Sequence, residues 1–193
     1  MAESRFVSRA GEKLDGALDA FGIDVAGGLC ADFGCNVGGF TDCLLQRGAS
    51  KVYAVDTGYG QLAWKLRKDP RVVVCERTNA LYAPPPQAVD LVVCDVAWTP
   101  QELIVPVAMR WLKSPGSPGP CRAVISLLKP HYELAKMTGQ KPTRTLSPSQ
   151  SRAVCLEVCQ KLSHLKCAVR AVMPSVLRGK GGNEEFFLFL SSY

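Results

Sequence analysis

The chain has 193 residues, enough for one domain with a substantial core and too few for two comfortable ones. With 47% hydrophobic and 21% charged residues it is globular rather than disordered, and no apolar run approaches the ~18 residues of a membrane span. Its 23 Lys and Arg against 17 Asp and Glu give a net charge of +6, which suits a polyanionic partner without identifying one. The polar start, residues 1–11 with Glu3, does not have the pattern of a signal peptide.

In chain order, short apolar runs alternate with amphipathic stretches, the signature of an α/β sheet. Leu14, Ala17, Leu18 and Phe21 share one helical face ahead of a stop at Gly22. Residues 28–33 predict a buried strand that runs into a glycine-containing loop, and 40–47 a helix closed by Gly48. Strands are expected at 51–55 and 71–75, with a helix over 61–68 that Asp69-Pro70 terminates. The run Pro84-Pro85-Pro86 fits neither helix nor central strand. Strands follow at 89–96 and 122–128, flanking a helix over 101–113 that contains Pro106. A helix over 148–162 starts at the cap residue Ser147, and the last strands are expected at 166–172 and 186–190. Residues 129–147 read as a flexible basic loop, a flap over the site, with Pro130, Lys136, Lys141, Pro142 and Arg144 and little periodicity.

The nine cysteines lie at 30, 35, 43, 75, 94, 121, 155, 159 and 167, with no Cys-x-x-Cys pair, and only two His accompany them. This argues against a structural zinc site, so no metal is expected, and the odd count points to free thiols in a reducing cytoplasm. Cys155 and Cys159 read as core-facing positions of one helix.

The first strand leads into Asp32-Phe33-Gly34-Cys35-Asn36-Val37-Gly38-Gly39-Phe40. Glycines here let backbone approach a ligand, and the following helix offers free N–H groups. Asp56, at the end of the second strand, can accept both hydroxyls of a nucleotide-like ribose. Because Gly34, Gly38 and Gly39 depart from Gly-x-Gly-x-x-Gly and Asp32 leads the loop, the site suits S-adenosylmethionine better than a dinucleotide. An ordinary glycine turn is the plain alternative. Asp95 and Lys129 end two central strands, and Glu184 and Glu185 open the last one, so all project toward the crevice where open α/β sheets bind ligands. Lys13 reads by default as a surface lysine, Trp98 as a packing residue and His131 as a loop histidine.

The sequence resembles the TlyA-type ribosomal RNA methyltransferases, within the FtsJ-like ribose 2′-O-methyltransferases, over almost its whole length. The resemblance is carried by Val7-Ser8-Arg9-Ala10-Gly11-Glu12-Lys13-Leu14, by Gly38-Gly39-Phe40-Thr41-Asp42 through Ala49, and by Val52-Tyr53-Ala54-Val55-Asp56. It continues through Gly58-Tyr59-Gly60-Gln61-Leu62, Glu76-Arg77-Thr78-Asn79 and Asn183 to Phe187. It implies a Rossmann-like, mostly parallel seven-stranded sheet with the last strand antiparallel and helices on both faces, a single methyltransferase domain spanning 1–193. It implies a Lys-Asp-Lys-Glu tetrad at Lys13, Asp95, Lys129 and Glu185, with Lys129 activating a ribose 2′-hydroxyl and the two carboxylates orienting the two lysines. It further implies S-adenosylmethionine along residues 32–40, its ribose at Asp56 and its adenine near Asn79, Asp95 and Val96, and ribosomal RNA or ribosomal subunits as substrate. The chain departs from the family at Cys35-Asn36-Val37, where small residues are usual, and at Val96-Ala97-Trp98, where Val-Ser-Phe is usual. Family members carry a small RNA-binding domain ahead of the catalytic one, whereas few residues precede the match here: either the chain is a piece of a longer one, or RNA recognition comes from this basic surface or from a partner. A non-catalytic RNA-binding or ribosome-assembly protein on the same fold is the second reading, and a membrane-active hemolysin a distant third.

Overall fold

A computed structural model describes residues 5–141 and 145–192. Seven apolar runs become strands: β1 (Leu29–Phe33), β2 (Lys51–Val55), β3 (Val72–Cys75), β4 (Leu91–Cys94), β5 (Ala123–Leu128), β6 (Cys167–Pro174) and β7 (Phe186–Ser192). Hydrogen bonding orders them β3-β2-β1-β4-β5-β7-β6 in one sheet. β7 alone runs against the others, antiparallel to both β5 and β6. The central strands are apolar at nearly every position because both of their faces are covered, as in parallel sheets generally.

The helices are α1 (Arg9–Phe21), α2 (Gly39–Gln46), α3 (Trp64–Arg67), α4 (Gln101–Trp111), α5 (Pro130–Thr138) and α6 (Pro148–His164). Strand side chains alternate between two cores. Along β4, Leu91 and Val93 join Leu14 and Leu18 of α1 and Phe40 and Leu44 of α2. Val92 and Cys94 point the other way, to Ile104, Ala108 and Trp111 of α4 and Val158 of α6. Trp111 meets Phe33 edge-on, with ring centroids 4.9 Å apart.

Local chemistry sets the helix ends. Gly22 adopts a left-handed conformation after α1, and its N–H reaches back to the carbonyls of Asp19 and Leu18. Ser147 and Gln150 form a reciprocal capping box at the start of α6, with Pro148 in the first turn. The expected seven strands are all present. Two expectations change. The helix expected over 61–68 shrinks to the single turn α3, and residues 129–147 carry α5 instead of a continuous flap. Pro130 starts that helix and left-handed Gly139 stops it. Residues 142–144, including the basic-loop positions Pro142 and Arg144, lie outside the described residues. All nine cysteines are free thiols. No helix among the described residues is long and apolar enough to cross a membrane.

Candidate active site

Strand order reverses between β1 and β4, and the chain leaves both strands into a crevice at their carboxyl ends. Register brings the chemistry together there. Phe33 pairs with Cys94, which sets Gly34 beside Asp95. A side chain at Gly34 would place its Cβ 2.7 Å from the Asp95 carbonyl oxygen, and Gly34 has φ 83°, so glycine is required twice over. Leu128 pairs with Phe186, so Lys129 and Glu185 leave adjacent strands at neighbouring points.

Among the cavities that the described residues form on this edge, two adjoin the glycine-rich turn. The larger, about 520 Å³, is lined by Gly34, Asn36, Asp56, Asn79, Asp95 and Lys129, together with Gln61, Thr78 and the segment from Val96 to Thr99. The smaller, about 50 Å³, is lined by Ser8, Ala10, Asp32, Cys35, Gly39 and Phe40, and shares Gly34, Asn36 and Asp95 with the first. Gly38 lines neither. It sits in a left-handed turn at φ 99°, where an added Cβ would strike Leu66 and Leu62. Cys35 and Phe40 are buried, and Phe40 packs on Phe187.

The carboxylates are held differently. Asp32 is completely buried at the end of β1. Its Oδ2 accepts from the Thr41 N–H at 2.9 Å and the Thr41 hydroxyl at 2.7 Å, while Oδ1 has no hydrogen-bond partner. Burial drives its carboxyl up to about 7, with the Thr41 hydroxyl opposing the shift. Asp56 accepts from the Asn36 N–H at 2.8 Å and the Gly58 N–H at 2.7 Å, which fixes its plane at the cleft wall. Asn79 accepts from the Leu81 N–H at 3.0 Å and stays exposed.

The four residues that the resemblance singles out form two ion pairs. Lys13 of α1 donates to Glu185 at 2.5 Å, across 172 positions of sequence, and Lys129 pairs with Asp95. Lys13 and Glu185 do not line either cavity. Glu185 is buried and Lys13 nearly so, whereas Asp95 and Lys129 remain partly open to the larger cleft. Glu184 instead faces Arg178 at the surface.

Trp98 is not a packing residue: it is 66% exposed in the cleft wall, its ring 5.0 Å from that of Tyr132. His131 is not in a loop but buried in the first turn of α5, 4.2 Å from the Tyr132 ring. Burial and the nearby Lys129 lower its pKa. Ser8 and Gln61 line the cavities without having been singled out. Both lie inside motifs of the resemblance, which was the available signal. Lys136, Lys141 and Arg178 are exposed basic residues. Arg144 lies outside the described residues, as does the side chain of Lys180.

A glycine-rich turn after β1, an acidic residue ending β2 and an antiparallel β7 define a Rossmann-like methyltransferase. The FtsJ-like methyltransferase family model matches residues 6–192, and the chain belongs to that family. It is 43% identical over 194 residues to the Mycobacterium tuberculosis protein named 16S/23S rRNA (cytidine-2′-O)-methyltransferase TlyA, covering 98% of this chain and 69% of that one. It is 41% identical over 133 residues to Hemolysin A of Brachyspira hyodysenteriae, covering 67% of this chain and 53% of that one. Among solved structures, a protein of Lactococcus lactis named as a candidate hemolysin superposes with a TM-score of 0.86 at 34% identity, covering 97% of this chain and 89% of that one. The chain thus spans about two thirds, or less, of these curated relatives.

Proposed function

We propose that this chain transfers a methyl group from S-adenosylmethionine to a ribose 2′-hydroxyl of ribosomal RNA in the cytoplasm. The relatives' names support the substrate class. The observation that carries the reading is the pair of lysine–carboxylate contacts at neighbouring strand ends, one of which opens onto the 520 Å³ cleft.

The residues fit the cofactor. The unpartnered Oδ1 of Asp32, beside the small cavity, suits an ammonium group, and Asp56 keeps a free lone pair on each oxygen for the two hydroxyls of a ribose. Asn79, Val96 and the carbonyl-lined approach at Gly34 would flank the purine. Bound S-adenosylmethionine supplies a methyl group made electrophilic by its sulfonium.

Lys129, as the neutral amine, would meet the incoming ribose at the cleft, hold its 2′-oxygen in line with the methyl carbon and take the hydroxyl proton as the O–C bond forms and the methyl–sulfur bond breaks. Asp95 would orient the Lys129 side-chain nitrogen, and the proton taken up in each turnover would pass to solvent through the open cleft. Glu185 would orient Lys13 as Asp95 orients Lys129, although neither Lys13 nor Glu185 lines the two cavities. Lys136, Lys141 and Arg178 would contact phosphates around the opening.

The test is transfer of a labelled methyl group to purified small and large ribosomal subunits. Wild type should label at least one of them. Lys129→Ala and Asp95→Ala should lose transfer by a factor of about 100 or more while retaining cofactor binding, the scale of a lost acid–base group. Unchanged turnover in Lys129→Ala removes its assignment, and absence of transfer by wild type removes the function.

A further inference from the structure

Helix α4 begins after Pro100, which has no side-chain donor or acceptor to cap it. Its first N–H groups therefore need partners from elsewhere. The Gln101 N–H donates to Oε1 of Glu133, on α5, at 2.9 Å. The Gln101 side chain is also buried: Nε2 donates to the Leu127 carbonyl at 3.3 Å, and Oε1 accepts from the Ser126 hydroxyl at 2.6 Å. Ser126 and Leu127 are the residues of β5 that run into Lys129. Glu133 lies one turn beyond Lys129 on α5, and its own N–H donates to the Lys129 carbonyl at 3.2 Å.

These bonds close a circuit around residues 95–101. The segment is pinned at its start by the Asp95 N–H on the Phe33 carbonyl at 2.9 Å and at its end by Gln101. Between the pins lie Val96 to Thr99, which line the larger cleft, and Trp98 leans on Tyr132 of the same α5. We propose that Glu133 is a positioning residue for methyl transfer: by capping α4 from α5, it holds the loop that begins at Asp95 against the helix that begins at Lys129. The role rests on the functions proposed above for Asp95 and Lys129.

The tie requires an acceptor at position 133, not a charge. Burial raises the Glu133 carboxyl to about 7, Glu102 of α4 adds to the rise, and Lys161 of α6 opposes it. Lys136 lines the same recess. A protonated carboxyl keeps its carbonyl oxygen as an acceptor, and so does the amide of glutamine.

The experiment compares Glu133→Leu and Glu133→Gln in the full chain by two readouts: amide hydrogen exchange across residues 96–104, and steady-state kinetics with ribosomal subunits. Glu133→Leu should speed exchange there and lower kcat by about tenfold each, with the cofactor KM changed less than about twofold, the loss expected when a buried helix-end donor is left unmade. Glu133→Gln should restore both to within about threefold of wild type, since its amide oxygen remains an acceptor. If Glu133→Leu does not fold, Glu133→Ala is read in its place. The proposal is overturned if the folded variant matches wild type in loop exchange and kcat, or if Glu133→Gln is as impaired as Glu133→Leu. Should wild type transfer no methyl group, the proposed function fails, and exchange alone decides whether Glu133 holds the loop.

Discussion

Asp32 shows how one residue joins the fold to its chemistry. Its carboxyl is held near 7 by burial against an unfolded value near 4, so the folded protein keeps a proton that the unfolded chain releases. Its contribution to stability is therefore full below about pH 4 and lost as pH rises through about 7. Asp32→Asn removes that dependence: its unfolding free energy should fall less than that of wild type between pH 5 and pH 8, as read by denaturant titration. Cofactor binding should weaken at least about tenfold in the same variant at pH 8, where the ionised carboxylate would pair with the ammonium proposed for it, as calorimetry would show. Equal affinities would place the ammonium elsewhere. Residue by residue, the sequence was unevenly legible. Asp56, Asp95 and Lys129 announce themselves because each follows an apolar strand, and Asp32 because it interrupts one, whereas Lys13 has no local signal: its partner is 172 positions away, and only the family resemblance marked it. Trp98 was misjudged because a lone Trp at a strand end gives no indication of which way its ring turns.

At the scale of elements, continuous apolar runs made all seven strands legible, since a strand covered on both faces needs no finer pattern. Helix α5 was not, because it is short, presents only Pro130, His131 and Glu133 as buried residues, and opens a stretch whose Lys136, Lys141, Pro142 and Arg144 read as basic loop. Its punctuation, Pro130 at the start and Gly139 just past the end, was the overlooked signal. Helix α6 was legible from its cap. Ser147→Ala should lower unfolding free energy by about 1 kcal/mol, because it removes the side-chain acceptor of the Gln150 N–H. Leu18→Ala, in contrast, empties a fully buried position between α1 and the sheet and should cost about 2–5 kcal/mol in the same denaturant titration.

For the whole molecule, β1, β2, β4 and β5 run parallel and end on one edge, where Gly34, Asp56, Asp95 and Lys129 follow them; antiparallel β7 starts there after Glu185, and α1 adds Lys13. The net charge of +6 then has a use. Binding to ribosomal RNA should weaken linearly on a log–log plot against salt, and Lys136→Glu should reduce the slope by about one phosphate contact, as filter binding at several salt concentrations would show. The central claim is that the acceptor atom is a ribose 2′-oxygen, and alkaline hydrolysis of methyl-labelled ribosomal RNA tests it directly. Alkali cleaves RNA through attack by the free 2′-hydroxyl, so a 2′-O-methyl nucleotide survives joined to its 3′ neighbour. Label recovered in an alkali-stable dinucleotide is the predicted result; label released only in mononucleotides would mean that the methyl had gone to a base, and would contradict the account.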